Sequence, residues 1–274
     1  MSKRKGRGRR LGVGATTDLM PPVVIPLRDN AAEREDYSLL RYSVRAWCKR
    51  YPGVRIIVVG GRPSWWAGEH FPAEQPDDNA RRAFRNFPNI LRSILENIDT
   101  EEFILSDDDH FPMRLAPWPP YPTYCRDVDL DEYCRRMVRW SAGSMPGSFE
   151  YWYAAGIIGQ RNILRDWGID TQDLADNHVP HQLERTKLAA LLDKVAREYP
   201  RHQLGHFRIL YGALFGRNLT RIPDPKVMDI GPAGAIGLDR RQWVSTSPAS
   251  WRIGHLGVAL REMYNRPSPY ERQR

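Results

Sequence analysis

Apolar residues along the chain follow two alternating patterns. Val23-Val24-Ile25, the run from Val54 to Val59, and Phe103-Ile104-Leu105 are short and largely β-branched or aromatic, which predicts strands buried on both faces. Between them the spacing changes. Leu39, Leu40, Val44 and Trp47 recur at helical period within 35–51, and Phe84, Ile90, Leu91, Ile94 and Leu95 do so within 81–98, where Pro88 breaks the first part. The order strand–helix–strand with continuous apolar strands predicts a parallel sheet. Pro-rich stretches at 62–80 and 112–126 read as loops. Further helices are predicted near 129–141, 183–198, 203–215 and 254–264. The stretch 143–160 is small and aromatic, and 170–181 is a polar loop. The expected fold class is therefore α/β: a mostly parallel, Rossmann-like sheet flanked by helices, with a mostly helical C-terminal elaboration.

Composition adds limits. In 274 residues, 41% apolar and 27% charged are globular values. The net charge of +8 belongs to the ends: Lys3, Arg4, Lys5, Arg7, Arg9 and Arg10 at one, and four arginines against two glutamates in 261–274 at the other. The body between them is neutral. A basic arm is a tether for a polyanion such as DNA, or simply a solubilising end. Cys48, Cys125 and Cys134 form no CxxC, so a disulfide framework is not expected. No run of about 20 apolar residues suggests a membrane span, and a cytoplasmic location is expected. The chain divides into a basic arm (1–20), one catalytic domain (21–265, with a nucleotide-binding half 21–126 and an acceptor half 127–265) and a flexible tail (266–274).

The chemistry concentrates where Phe103-Ile104-Leu105 runs into Ser106-Asp107-Asp108-Asp109-His110. The carboxyl ends of parallel strands are where open α/β sheets bind ligands. Adjacent aspartates repel unless a cation or donors neutralise them. Asp107 and Asp109, two apart, can share a hard divalent ion, and Mg²⁺ or Mn²⁺ can bridge carboxylates to a diphosphate. A solvated acidic turn is the plainer alternative.

The run resembles the DxD strand of GT-A-fold glycosyltransferases. Val23-Val24-Ile25-Pro26-Leu27-Arg28-Asp29 resembles their first strand and nucleotide-binding loop. A partial similarity links Leu40 to Arg45, Val54 to Trp66, Arg85 to Leu91 and His178-Val179-Pro180-His181 to Stealth-type sugar-phosphate transferases. The Stealth opening motif is replaced by Ile25-Pro26-Leu27-Arg28-Asp29, which favours glycosyl transfer. Phage enzymes that glycosylate modified DNA bases are similar in size and lack a membrane anchor. The resemblance implies a metal-dependent glycosyltransferase using a nucleotide-sugar, with UDP expected. Its acceptor would be a hydroxyl on DNA, and its location the host cytoplasm if phage-encoded.

The implied roles are these. Asp107, Asp109 and His178 are the metal ligands. Asp107, with Pro26, Arg28, Asp29, Arg41 and Asn86, holds the donor. Asp109, His181 and Asp108 are the catalytic candidates. Each has a plainer alternative: a surface loop for Arg28 and Asp29, a solvated helix face for Arg41 and Arg45, a helix cap for Asn86, and a surface pair for the histidines. A sugar-1-phosphate transferase and a non-catalytic nucleic-acid binder are the competing functions.

Overall fold

The computed structural model describes residues 20–29, 37–75, 86–116, 118, 124–200, 202, 204–216 and 219–272. The basic arm 1–19, the start of the helix expected at 81–98 and most of the Pro-rich loop near 117–123 lie outside them.

Strands β1 (Val23–Leu27), β2 (Ile56–Gly60), β3 (Glu69–Phe71), β4 (Glu102–Leu105) and β7 (His181–Glu184) form one sheet in the order β3-β2-β1-β4-β7. All neighbours are parallel except β4 and β7. The predicted parallel α/β sheet is thus present, with an antiparallel edge. That edge was not expected, because His-Gln-Leu-Glu is too short and polar to declare itself as a strand. β3 likewise lies in a stretch expected to be loop.

The double-sided apolar strands do what their pattern requires. On β1, Val24 faces one core, while Val23, Ile25 and Leu27 face another. On β2, Ile57 and Val59 share the first core, while Ile56 and Val58 share the second. The second core is capped by α1 (Ser38–Arg50), whose Leu40, Val44 and Trp47 are wholly buried. The first is covered by α2 (Phe87–Asn97) and, from the C-terminal half, by α3 (Leu130–Ser141), α4 (Phe149–Asp166), α5 (Arg185–Glu198) and α6 (Phe207–Phe215). The helix α4 replaces the irregular aromatic stretch expected at 143–160. Ser148 caps it by accepting from the Tyr151 N–H at 3.3 Å.

A small second sheet, β5 (His110–Pro112), β10 (Trp243–Thr246) and β9 (Lys226–Val227), packs with α7 (Pro248–Arg252) and α8 (His255–Met263) around Phe111, Val244 and Trp251. A parallel pair, β6 (Tyr124–Arg126) and β8 (Thr220–Ile222), joins the two halves.

The end of the chain departs from expectation. Residues 266–272 are held rather than loose. The Tyr270 ring stacks on Trp66 at 5.1 Å between centroids, and its hydroxyl donates to Val54 O and accepts from Ile56 N–H. Glu271 receives both arms of Arg45 at 2.7 and 2.6 Å. Aromatic stacking plus a bidentate ion pair fixes this segment across the start of β2. Replacing Tyr270 with Ala should lower unfolding free energy by about 2–4 kcal/mol. Urea titration checks this, and a midpoint like that of the wild type would mean the segment is not integral to the fold.

Candidate active site

β1 connects through α1 to β2 on one side, while β4 lies on its other side. The chain changes direction there, so the carboxyl ends of β1 and β4 splay around a crevice. Register fixes the pairing: Val24 lies opposite Leu105, and Ser106 N–H donates to Val24 O at 3.0 Å. The loop after β1 and the acidic run after β4 are therefore brought face to face. Gly60 and Gly61 let the β1 loop lie close to β2: a Cβ at Gly60 would collide with Leu27 O, and one at Gly61 would come within 2.6 Å of Arg28 O. Gly60 also has φ +104°, which side-chain-bearing residues rarely adopt.

The crevice opens into a cleft of about 850 Å³. Of the residues singled out from sequence, Pro26, Arg28, Asn86, Asp107, Asp108, Asp109 and His178 line it. Asp29, Arg41 and His181 do not. Asp29 N–H is taken by Gln75 at 3.1 Å. The Arg41 guanidinium lies over Trp65 at 4.8 Å and near Glu271, away from the cleft, so its expected donor contact is not formed. Its helical neighbour Arg45 is likewise spent on Glu271. His181 sits on β7 with Nε2 2.8 Å from Asn177 Oδ1. Burial, then Arg208 and His110, pushes its imidazole down to about 3. It is a neutral core histidine, not an exposed base. The α1–Glu271 contact and the unforeseen β7 account for these departures.

The three aspartates differ in environment. Asp107 is gripped bidentately by Arg208 at 2.9 and 2.6 Å. Burial alone would raise its carboxyl, but Arg208 and His110 hold it far below the carboxylate range. Asp109 is buried and accepts from Ser245 Oγ at 2.6 Å and Lys226 Nζ at 3.2 Å. Asp108 has no dedicated cation, and burial plus repulsion from Asp109 and Asp107 lifts it to about 7.

Asp107, Asp109 and His110 bring ligand atoms within 4.8 Å of one another, the one such trio among the described residues. His110 is buried and neutral, its imidazole pushed down to about 4 chiefly by burial. Its Nδ1 accepts from Asp107 N–H at 3.1 Å, so its proton rests on Nε2, which faces Asp107 Oδ2 at 3.3 Å and Asp109 Oδ1 at 3.8 Å. No hydrogen bond satisfies that buried Nε2. The Nε2–H of His110 thus faces two carboxylates, and these are the hard donors that fit a divalent cation. His178, expected as a ligand, stands outside the trio. Its Nδ1 lies 2.8 and 2.9 Å from the Asp224 oxygens, and Arg126 holds Asp224 in turn at 2.9 Å. Burial would raise the Asp224 carboxyl, but His178 and Arg126 bring it down to about 2. An ionised Asp224 accepts from Nδ1–H and leaves the lone pair on Nε2.

His110, Arg208, Ser245, Lys226, Asp224 and Arg126 were not anticipated. Arg208 left a signal, as a lone charge inside the apolar helix Phe207–Phe215. Lys226 and Asp224 left none, since they lie in a Gly/Pro-rich stretch whose path only the fold decides.

No protein-family model matches the sequence, and no curated protein matches it. Solved structures with some similarity include the WbbM bifunctional glycosyltransferase (TM-score 0.39, 12% identity, covering 80% of this chain and 41% of that one). Two others are the galactosyltransferase LgtC in complex with donor and acceptor sugar analogues (0.40, 12%, 90% and 96%) and the glycosyltransferase GlyE of Streptococcus pneumoniae TIGR4 (0.37, 12%, 93% and 66%). The chain spans less than half the length of the first. Likeness of this size says nothing about chemistry.

Replacing Arg208 with Ala would strand Asp107 half-buried without its cation. It should cost about 3–5 kcal/mol, and adding Asp107→Ala should restore part of the loss. A double-mutant cycle in urea measures this, and a coupling near zero would mean the pair is not energetically joined.

Proposed function

We propose that this protein is a glycosyltransferase that moves a sugar from a nucleotide-sugar donor, UDP-linked, to a hydroxyl acceptor with the aid of Mn²⁺ or Mg²⁺. One observation carries the reading. Three carboxylates end a parallel strand at the point where the sheet changes direction, in a cleft large enough for a small ligand.

Arg28 and Lys226 face the acidic run from opposite walls and lower the Asp108 carboxyl through their charge. They are the cations suited to a diphosphate. Asp107 and Asp109 would hold the divalent ion, with His110 orienting both and Arg208 fixing Asp107. The ion's contribution when bound is to offset negative charge on the departing nucleoside diphosphate. Lys226, partly exposed and 3.2 Å from Asp109, would turn to a phosphate oxygen were Asp109 to hold the ion. Asn86, at the start of α2, lines the cleft and is the proposed contact for donor hydroxyls.

The acceptor must lose a proton. His178 supplies a general base, since its Nδ1–H is held by Asp224 and its Nε2 keeps a lone pair. His178 thereby stands in for His181, the catalytic candidate from sequence, which is buried on β7. Asp108 stays as the second catalytic candidate, a carboxyl near neutrality within the cleft. DNA as the acceptor rests on the basic arm, which lies outside the described residues.

Two measurements test the proposal. UDP-sugars with Mn²⁺ should raise the melting temperature by mass action, and Asp109→Asn should abolish that rise. No stabilisation by any nucleotide-sugar with Mn²⁺ or Mg²⁺ would overturn the reading. Separately, Asp224→Asn should lower turnover by about 10²–10⁴-fold while leaving the donor-induced melting shift intact. Equal turnover would remove His178 from the chemistry.

A further inference from the structure

The end of α3, the connection to α4 and the first turn of α4 expose large apolar side chains where a water-facing surface would be polar. Among the described residues, Val138, Trp140, Met145, Phe149 and Tyr151 are five of the eleven exposed large apolar side chains, and all fall within 138–151. Such concentration marks a docking surface rather than scattered exposure. Two of them meet a common ring: Trp140 and Phe149 both pack on Tyr153, each at 5.8 Å between centroids. Met145, at the tip between the helices, is 78% exposed.

Arginine borders this patch. Arg135, Arg136 and Arg139 are 63%, 55% and 67% exposed and share a single carboxylate, Glu132. The other acids nearby are engaged elsewhere, Asp131 by Arg161 and Arg165, and Asp129 by Arg221. The exposed Glu150 is the counter-charge on α4. Positive charge is therefore in excess beside the apolar side chains at the end of α3. The inner face of α3 is already used, with Leu130 buried and Tyr133, Cys134 and Met137 packed on the core.

We infer that the end of the α3–α4 pair, with the connection between the two helices, docks on an anionic lipid surface. Aromatic, thioether and aliphatic side chains within about one turn of the connection, with arginines beside them, match the boundary between headgroups and acyl chains. A nucleic acid would use the arginines and rings but leave Val138 and Met145 in water. The inference does not depend on sugar transfer. It is consistent with no helix of the described residues being long and apolar enough to cross a membrane, because docking needs none. Since Phe149 also lines the cleft, the lipid surface would lie at the cleft mouth.

The test uses the full chain and phosphatidylcholine vesicles with and without phosphatidylglycerol. Co-sedimentation is expected only when phosphatidylglycerol is present. The exposed-site variant W140S/M145S keeps every charge, so it separates apolar docking from attraction by the basic arm. It should partition about tenfold or more weakly, and R135E/R139E should also weaken. Brominated acyl chains should quench tryptophan fluorescence of the unaltered protein, a readout that requires no substitution. Equal partition of W140S/M145S and wild type, absence of quenching, or capture of duplex DNA with no vesicle binding would each overturn the inference.

Discussion

The site depends on one electrostatic constraint: three adjacent carboxylates at the end of a buried strand must be compensated by cations or donors, or take up a proton. Water cannot do it fully, because the strand end is walled by β1, α2 and the small second sheet. The protein therefore brings cations from distant segments. Arg208 comes from α6 and Lys226 from β9, and Ser245 adds a hydroxyl from β10. These contacts tie the N-terminal half of the chain to the C-terminal half. The small sheet around Phe111 and Trp251 continues directly from the acidic run through β5, so the same residues that assemble the site also join the two sheets.

Compensation is unequal, and the inequality is chemically useful. Asp107 has a bidentate arginine and stays ionised. Asp109 has a mobile lysine and a hydroxyl. Asp108 has no ion-pair partner of its own: Arg28 and Lys226 act on it only through their charge, and burial with the two neighbouring carboxylates lifts it to about 7. A row of identical side chains thus becomes a fixed anion, an exchangeable anion and a near-neutral acid. Sequence alone cannot separate the three, since their difference lies wholly in what arrives from elsewhere in the chain.

The central sheet was legible because its strands are apolar on both faces, a pattern that strands tolerate only when helices cover both sides. β1, β2 and β4 carry that pattern, and with it the place of Asp107 to Asp109 and the Arg28 loop. The edges were not legible. β3 and β7 are three and four residues long with polar side chains, and pairing with a neighbour, not propensity, makes them strands. Missing β7 misplaced His181: a loop histidine reads as a candidate base, whereas a strand histidine at an internal edge is packed. Arg41 failed for a related reason. The segment beyond residue 265 was read as a tail, so Glu271, which draws Arg41 and Arg45 to the other side of α1, was not considered.

The two histidines at the cleft show how hydrogen bonds outside it assign chemistry within it. His110 and His178 are the same residue type facing the same cluster. His110 accepts at Nδ1 from a backbone N–H, so its proton is on Nε2 and it can only donate toward the carboxylates. His178 has a carboxylate at Nδ1, so its proton is there and Nε2 is the basic atom. A donor orients and a lone pair removes a proton, and these roles cannot be exchanged without moving the groups behind them. Under the proposed mechanism Asp224, far from the acidic run in sequence and without any motif of its own, is therefore the residue that selects which histidine serves as the base.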